Sequence, residues 1–412
     1  VSDPPTPELV ELEVGPVAHG GHCVARLEGR VVFVRHALPG EQVLARLTEA
    51  APTARFWRAD AVEVLRASPD RVPPPCPVAR PGGCGGCDWQ HATPVAQRRL
   101  KGQVVAEQLR RLAGIVLEPA PVAEAVPGDD EGLAWRTRMR LAVRADGRAG
   151  LRRHRSHDVV ALEHCPLAHP ALHLPDVLAR RWPPRDEVLV TGGGAGGQPP
   201  TVALASSLDP VAGPGRRTEY AGGRPWRVSA AGFWQVHPGA AEVLVDAVRQ
   251  VLAPRPGERL LDLYSGVGLF GGCLVGDLGP HGEVVAVEGD ARAVRDARRA
   301  LHDVPQVRLV ACDVTSALAS DVVPARADLV VLDPPRSGAG REVCAQVAAR
   351  GPRAIAYVAC DPAALARDVA LLRGFGYGMT SLRVLDLFPM THHVECVTGL
   401  HPLPDESADM VG

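Results

Sequence analysis

The sequence predicts a multidomain chain. An OB-like β-barrel is expected over residues 1–66 and a β-rich central domain with a cysteine-bearing loop over 67–220. A Rossmann-like, doubly wound α/β domain is expected over 221–412. Three observations lead there. Residues 7–66 hold five short strand-forming runs, at 9–14, 22–27, 30–34, 41–49 and 57–65, separated by turns such as Gly20-Gly21 and Pro39-Gly40. Five such strands suit an OB-like barrel. Residues 122–216 continue in strand-length pieces. From about residue 225, apolar runs at 260–263, 284–287, 307–310, 329–332 and 354–359 alternate with helical stretches, the pattern of a sheet covered on both faces. A helix over about 94–112 should join barrel and central domain. The glycine-rich stretch 191–198 reads as a surface turn, because no helix pattern follows it.

Composition narrows the possible functions. The formal net charge is −2, so the total shows no bias toward polyanions. Distribution is a separate matter. Lys101 is the only lysine, and Arg136, Arg138, Arg140, Arg144, Arg148, Arg152, Arg153 and Arg155 crowd one stretch. The alternation of Arg136, Arg138 and Arg140 predicts a strand with several guanidinium groups on one face, able to track nucleic-acid phosphates. Ten cysteines, with no signal peptide and no apolar run of membrane-spanning length, predict a reducing, cytoplasmic setting and no membrane partner. No obligate protein partner is evident. Residues 1–7 form a polar, proline-rich tail, and 405–412 are expected to be disordered.

Chemistry concentrates at strand ends of the last domain, where open α/β sheets bind ligands. Asp333-Pro334-Pro335-Arg336 follows the run 329–332, Cys360 follows 354–359, and Glu395 follows His392-His393-Val394. A lone cysteine in such a place is more often a small buried apolar group. With a carboxylate beside it, the thiol becomes half of a nucleophile–base pair: covalent addition divides one hard step into easier ones, and a base completes the cycle. The thiolate is the reactive form, and a helix beginning near residue 363 would favour it.

The run 260–263 enters the turn Tyr264-Ser265-Gly266-Val267-Gly268. Phosphate, nucleotide and adenosyl sites all use such turns, and no Gly-Lys-Ser/Thr follows. Glu288, about twenty residues on, suits ribose hydroxyls, and Asp313, after the next strand, suits an adenine amine. A dinucleotide oxidoreductase would share these features. Arg336 argues against an amino-group methyltransferase, which places an aromatic at that position of the motif.

Cys76, Cys84, Cys87 and the distant Cys165 form a second constellation. The glycines around Cys84 and Cys87 let two sulfurs turn toward one centre. Four thiolates suit a zinc ion or an iron–sulfur cluster, and spacing does not separate the two.

These residues together resemble the uracil-5 RNA methyltransferases. The resemblance is carried by Asp333-Pro-Pro-Arg-Ser-Gly, by Tyr357-Val-Ala-Cys360-Asp-Pro and by Leu385-Asp-Leu-Phe-Pro-Met-Thr-His-His-Val-Glu395. The Cys-Gly-Gly-Cys loop and a barrel similar to the TRAM domain add to it. It implies formation of 5-methyluridine from S-adenosylmethionine, with Cys360 as nucleophile and Glu395 as base toward a flipped uracil. It also implies cofactor contacts at Gln235, Tyr264, Glu288 and Asp333, beside those read at Gly266 and Asp313. A [4Fe-4S] cluster on Cys76, Cys84, Cys87 and Cys165 follows in the same way. So do an RNA partner, 23S rRNA in preference to tRNA, and a helix at 93–115 packed on the last domain. The chain departs from the family pattern at Ala359, Asp361 and Ala364, where Ser, Asn and Thr are usual, at Met390 for Gln, and at Leu269 for Asn. A cluster-bearing RNA-binding protein that lost catalysis is the alternative those departures allow.

Overall fold

The computed structural model describes residues 9–129, 131–194 and 197–404. The tails at 1–7 and 405–412 lie outside the described residues. The N-terminal unit is a five-stranded sheet: β1 Leu9–Glu13, β2 Cys23–Leu27, β3 Arg30–Arg35, β4 Gln42–Glu49 and β5 Trp57–Arg66, in the order β1-β4-β5-β3-β2. Only β3 and β5 run parallel. Val32 and Val34 are buried while Phe33 and Arg35 face outward, the period-two pattern of a sheet with one apolar face. Buried Glu41 accepts from Leu38 N and Ser68 N at 2.8 and 3.1 Å. It also pairs with Arg71 Nε at 2.5 Å, which fastens the barrel to the connector that follows.

Helix α1, Pro94–Gln108, begins where proline needs no amide partner, with Thr93 Oγ1 accepting from Ala96 N at 3.3 Å. Its last turns, Leu109–Ala113, are wider, and Gly114 ends them at φ +67°. Leu100 and Val104 enter the barrel core, whereas Val105 and Leu109 enter a core of the C-terminal domain. One helix therefore joins two units.

After β6, Glu124–Ala125, come β7 Arg138–Val143, β8 Ala149–Arg152, β9 Val159–Ala161, helix α2 Leu174–Ala179, β10 Glu187–Thr191, β11 Thr201–Leu204 and β12 Pro210–Ala212. Strands β7 to β12 make an antiparallel sheet in the order β12-β11-β10-β7-β8-β9. The expected phosphate-tracking arginine face is not what this region presents. Six of the eight arginines pair with carboxylates: Arg138 with Glu219, Arg140 and Arg152 with Glu187, Arg144 with Asp146, Arg153 with Asp158, and Arg155 with Glu49. Arg138 is buried and also donates to Ala230 O and Gly232 O. Arg138 is thus taken up inside the fold, whereas the other five arginines sit in exposed pairs that solvent screens.

The C-terminal domain adds the hairpin β13 Arg216–Ala221 and β14 Arg224–Ser229, then α3 Ala240–Leu252, β15 Arg259–Leu263, α4 Leu269–Leu274, β16 Glu283–Glu288, α5 Ala291–Ala300, β17 Val307–Ala311, α6 Val314–Leu318, β18 Leu329–Leu332, α7 Gly340–Ala349, β19 Ala354–Ala359, α8 Pro362–Gly374, β20 Tyr377–Asp386 and β21 Glu395–Pro402. Its sheet has the order β17-β16-β15-β18-β19-β21-β20-β6. Strands β15 to β19 are parallel, as the continuous apolar runs predict. Strand β21 enters antiparallel between β19 and β20. The outermost strand, β6, comes from the middle of the chain. Fully buried neighbours Leu260 and Leu261 point into opposite cores, one on each face. No helix among the described residues is long and apolar enough to cross a membrane.

Candidate active site

A cavity of about 910 Å³ opens at the carboxyl ends of β15, β16, β18 and β19. Its wall includes Gln235, Tyr264, Gly266, Glu288, Asp333, Cys360 and Glu395, which brings together most residues singled out from the sequence. The chain leaves β15 through Tyr264 at φ +61° and turns again at Gly268, φ +80°. A side chain at Gly268 would meet Leu301 at 2.7 Å, so glycine is required there by both backbone and space. The turn presents Gly266 N to Glu288 Oε2 at 2.8 Å, and Asp290 N donates to Glu288 Oε1 at 2.6 Å. Glu288 is thereby held with lone pairs still facing the cavity. Asp313 is not part of the cavity wall. Its carboxylate accepts from Ser316 N at 3.1 Å and caps α6.

Cys360 is the first residue beyond β19. Asp361 Oδ1 then accepts from Ala364 N at 2.8 Å and caps α8, so an aspartate performs the capping role at the start of this helix. Glu395 opens β21, opposite Leu385 of β20, and is 5 % exposed. Burial pushes its carboxyl well above the usual range, with Asp333 adding to the effect and Arg336 opposing it. Burial, then Glu395, pushes the Cys360 thiol up to about 11, against the pull of Arg336. Burial raises Asp333 to about 7, and the neighbouring acids Asp262 and Glu288 add to it. The expectation of a thiol acidified by its helix is therefore outweighed, in the protein alone, by desolvation and crowded acids.

That imbalance is a test of fit for S-adenosylmethionine. Asp262 Oδ1 and Ser265 Oγ are buried without partners, and burial raises Asp262 and Asp333 to about 7, with neighbouring acids adding to it. A ligand carrying an ammonium and a sulfonium answers both conditions, and Glu288 suits its ribose hydroxyls. The residues present fit the group.

Arg336 and the His392-His393 pair stood out in the sequence, whereas Phe388, which was not chosen there, also shapes the other half of the cavity. Phe388 and His393 line it, and Arg336 Nη2 lies 3.4 Å from His393 Nδ1. Burial pushes His393 down to about 3, with His392 and Arg336 adding to it, so His393 is neutral. The loop from β20 to β21 is gripped by distant segments. Lys101 is buried against Asp386 at 2.5 Å and donates to Phe388 O at 3.0 Å. Gln97 Oε1 accepts from Met390 N at 2.7 Å, while Met390 O accepts from Asp88 N and Trp89 N. Asp88 Oδ2 accepts from His392 N at 3.0 Å. Met390, at φ +66°, is held through its backbone and through its sulfur, which accepts from Gln97 Nε2 at 3.1 Å. His19, from the turn before β2, reaches Asp361 Oδ2 at 3.1 Å. The one legible signal for this clasp was Lys101, a solitary lysine in an arginine-rich chain.

Cys76, Cys84, Cys87 and Cys165 line one pocket with Arg136 and Gln90. Gln90 Nε2 donates to Cys87 Sγ at 3.1 Å, and Gly86 N to Cys84 Sγ at 3.4 Å. All ten cysteines are free. Among the described residues no three ligand-type side chains converge closely enough for a single ion. Tetrahedral zinc, with bonds of about 2.3 Å, would require sulfurs about 3.8 Å apart. A cluster lets each sulfur bind a different iron. N–H donors and a guanidinium around the sulfurs suit an anionic sulfur-ligated group.

Comparison with known proteins agrees with this geometry. Residues 8–62 match the TRAM domain, and residues 227–401 match the family described as tRNA (Uracil-5-)-methyltransferase. An "Uncharacterized RNA methyltransferase" of Streptomyces avermitilis is 50% identical over 96% of this chain and 98% of its own. The 23S rRNA (uracil(1939)-C(5))-methyltransferase RlmD of Alkalilimnicola ehrlichii is 34% identical over 94% of this chain and 95% of its own. The crystal structure of Pyrococcus abyssi tRNA (uracil-54, C5)-methyltransferase shares the fold, with a TM-score of 0.68 at 22% identity, over 94% of this chain and 99% of that one. The match over residues 227–401, and relatives 34–50% identical along nearly the whole of both chains, give the family: the chain belongs to the S-adenosylmethionine-dependent RNA (uracil-C5)-methyltransferases.

Proposed function

We propose that the protein methylates C5 of one uracil in 23S rRNA, in the cytoplasm, with Cys360 as nucleophile and Glu395 as base. The observation that carries this reading is the shared cavity wall of Cys360, Glu395, Asp333 and Glu288. When bound, S-adenosylmethionine supplies an electrophilic methyl group. Cys360 Sγ adds to C6 of the uracil, and the displaced electron pair moves to C5, which takes the methyl. Glu395 removes the C5 proton, the C5–C6 double bond re-forms, and Cys360 leaves as thiolate. Positive charge in the cavity lowers both resting pKa values, so the two groups are activated together. Gln235, Tyr264, Gly266, Glu288 and Asp333 hold the cofactor.

Cys76, Cys84, Cys87 and Cys165 would carry a [4Fe-4S] cluster. The convergence of four free thiols on one pocket lined by N–H donors supports this. The rRNA substrate is supported by the relative named for 23S rRNA, whose likeness runs the length of both chains. Labelled methyl transfer to separated 23S rRNA and tRNA, by wild type and Cys360→Ala, tests the whole reading. Label as 5-methyluridine in rRNA, lost in the variant, is expected. Label confined to tRNA would replace the substrate. Absence of both label and a covalent adduct with 5-fluorouracil RNA would overturn catalysis.

A further inference from the structure

We propose that a cleft between the barrel and the central domain is a binding site for one phosphodiester of the RNA strand. The proposal rests on the reading of RNA as substrate and adds a place on the protein that grips it. Phe33 and Arg35 of β3, Glu49 of β4, Arg58 and Asp60 of β5, and His22 form one side, and His154 and Arg155, just past β8, form the other. The cleft measures about 140 Å³, room for a phosphate group.

Four buried nitrogens from these residues, His22 Nε2, Arg35 Nη2, Arg58 Nε and His154 Nε2, have no hydrogen-bond partner. Buried groups without partners are uncommon, because each has given up water and gained nothing. Four in one cleft point to a ligand with acceptor oxygens. The charge balance agrees. Arg35, Arg58 and Arg155 face two carboxylates, Glu49 and Asp60. Glu49 lies 3.3 Å from Arg58 Nε, out of line for a hydrogen bond, and 3.2 Å from Arg155. The contact of Arg35 with Asp88 is long, at 4.0 Å. The wall keeps one positive charge beyond its carboxylates. Burial and the nearby guanidinium groups push His22 and His154 down to about 4, so both are neutral hydrogen-bonding groups. Three guanidiniums repel a metal cation, whereas a singly charged phosphodiester satisfies both the donors and the excess charge.

The surroundings fit a nucleic-acid strand. The Arg58 guanidinium stands 5.7 Å from the Phe33 ring and 5.2 Å from the exposed Phe56 ring, an apolar surface beside the donors on which a neighbouring base can stack. His22 also follows Gly21, which abuts His392 on the gripped loop.

The test is equilibrium binding of a short RNA to the cofactor-loaded full-length enzyme across a salt series. It compares wild type, Arg58→Gln, His154→Gln and the control Arg326→Gln. Arg58→Gln is expected to weaken binding about tenfold and to lower the slope of log Kd against log salt by about one. His154→Gln should weaken binding with no change of slope. Single methylphosphonate linkages then locate the contact: at one position wild type loses affinity and Arg58→Gln loses no more. Unchanged affinity in both variants, or no such linkage, would overturn the site. Unchanged cofactor binding and melting temperature separate these effects from misfolding. Failure of wild type to trap 5-fluorouracil RNA would count against the catalytic reading, whereas trapping with unaltered salt dependence would count against the cleft alone.

Discussion

The two halves of the cavity are built in different ways. The cofactor half comes from successive strand ends of one parallel sheet: the turn after β15, Glu288 at the end of β16, and Asp333 after β18. Its geometry is local, because each side chain is placed by its own strand and the turn that follows. The target half comes from Arg336, Cys360, Phe388, His393 and Glu395, and its loop is held by Asp88, Gln97 and Lys101, roughly 290 residues away. Damage to the N-terminal half of the chain should therefore reach catalysis without reaching the cofactor.

The largest expected effect tests the division of labour inside the target half. Glu395→Gln should lower turnover by about 10²- to 10⁴-fold while S-adenosylmethionine still binds. It should also accumulate a covalent RNA adduct that gel electrophoresis detects, because the C5 proton is no longer removed. Cofactor affinity falling in parallel with turnover would erase the distinction between halves.

Lys101→Met leaves Asp386 charged and buried without its partner, at a cost of about 3–5 kcal/mol measurable by urea unfolding. Lys101→Met/Asp386→Leu should recover much of that stability. Equal losses in the single and double variants would show that the pair is not the source.

The pH dependence follows from the raised thiol. Raised to about 11, Cys360 is protonated at neutral pH, so its alkylation by iodoacetamide should climb with pH toward that value. S-adenosylmethionine should move the curve to lower pH, and uncharged S-adenosylhomocysteine should move it less, when the Cys360 peptide is followed by mass spectrometry. Identical shifts with both would mean that shape rather than charge controls the thiol.

The smallest effect sharpens the comparison. Asp88→Ala removes the partner of both His392 N and His392 Nδ1 and should slow turnover about tenfold or more, since a hydrogen bond to a charged group is worth about 1.5–3 kcal/mol, with unchanged cofactor affinity by calorimetry. Weakened cofactor binding instead would mean that the clasp supports the whole cavity.

Legibility follows the same division. The strands 329–332 and 354–359 were read from sequence with their final boundaries, because strands buried on both faces are continuous apolar runs. Cys360, Glu395, Glu288 and Asp333 were chosen because strand ends carry the chemistry in such sheets, and the structure places all four on one cavity wall. The alternating arginines misled, since period-two spacing shows which side chains share a face but not which carboxylates meet them. Asp313 was read as a cofactor contact, but the same position is a helix N-cap, and aspartate serves either use.

The sequence by itself determined the order of units, the parallel strands, the glycine turn and the identity of the thiol–carboxyl pair, all of which depend on residues close together in the chain. Only the tertiary structure decided that β6 completes the last sheet, that α1 is shared between two cores, and that Lys101, Gln97 and Asp88 hold the catalytic loop. The resting protonation of the cavity belongs with these. A pKa is set by burial and by charges brought near in space, and no periodicity along the chain records which distant groups those are.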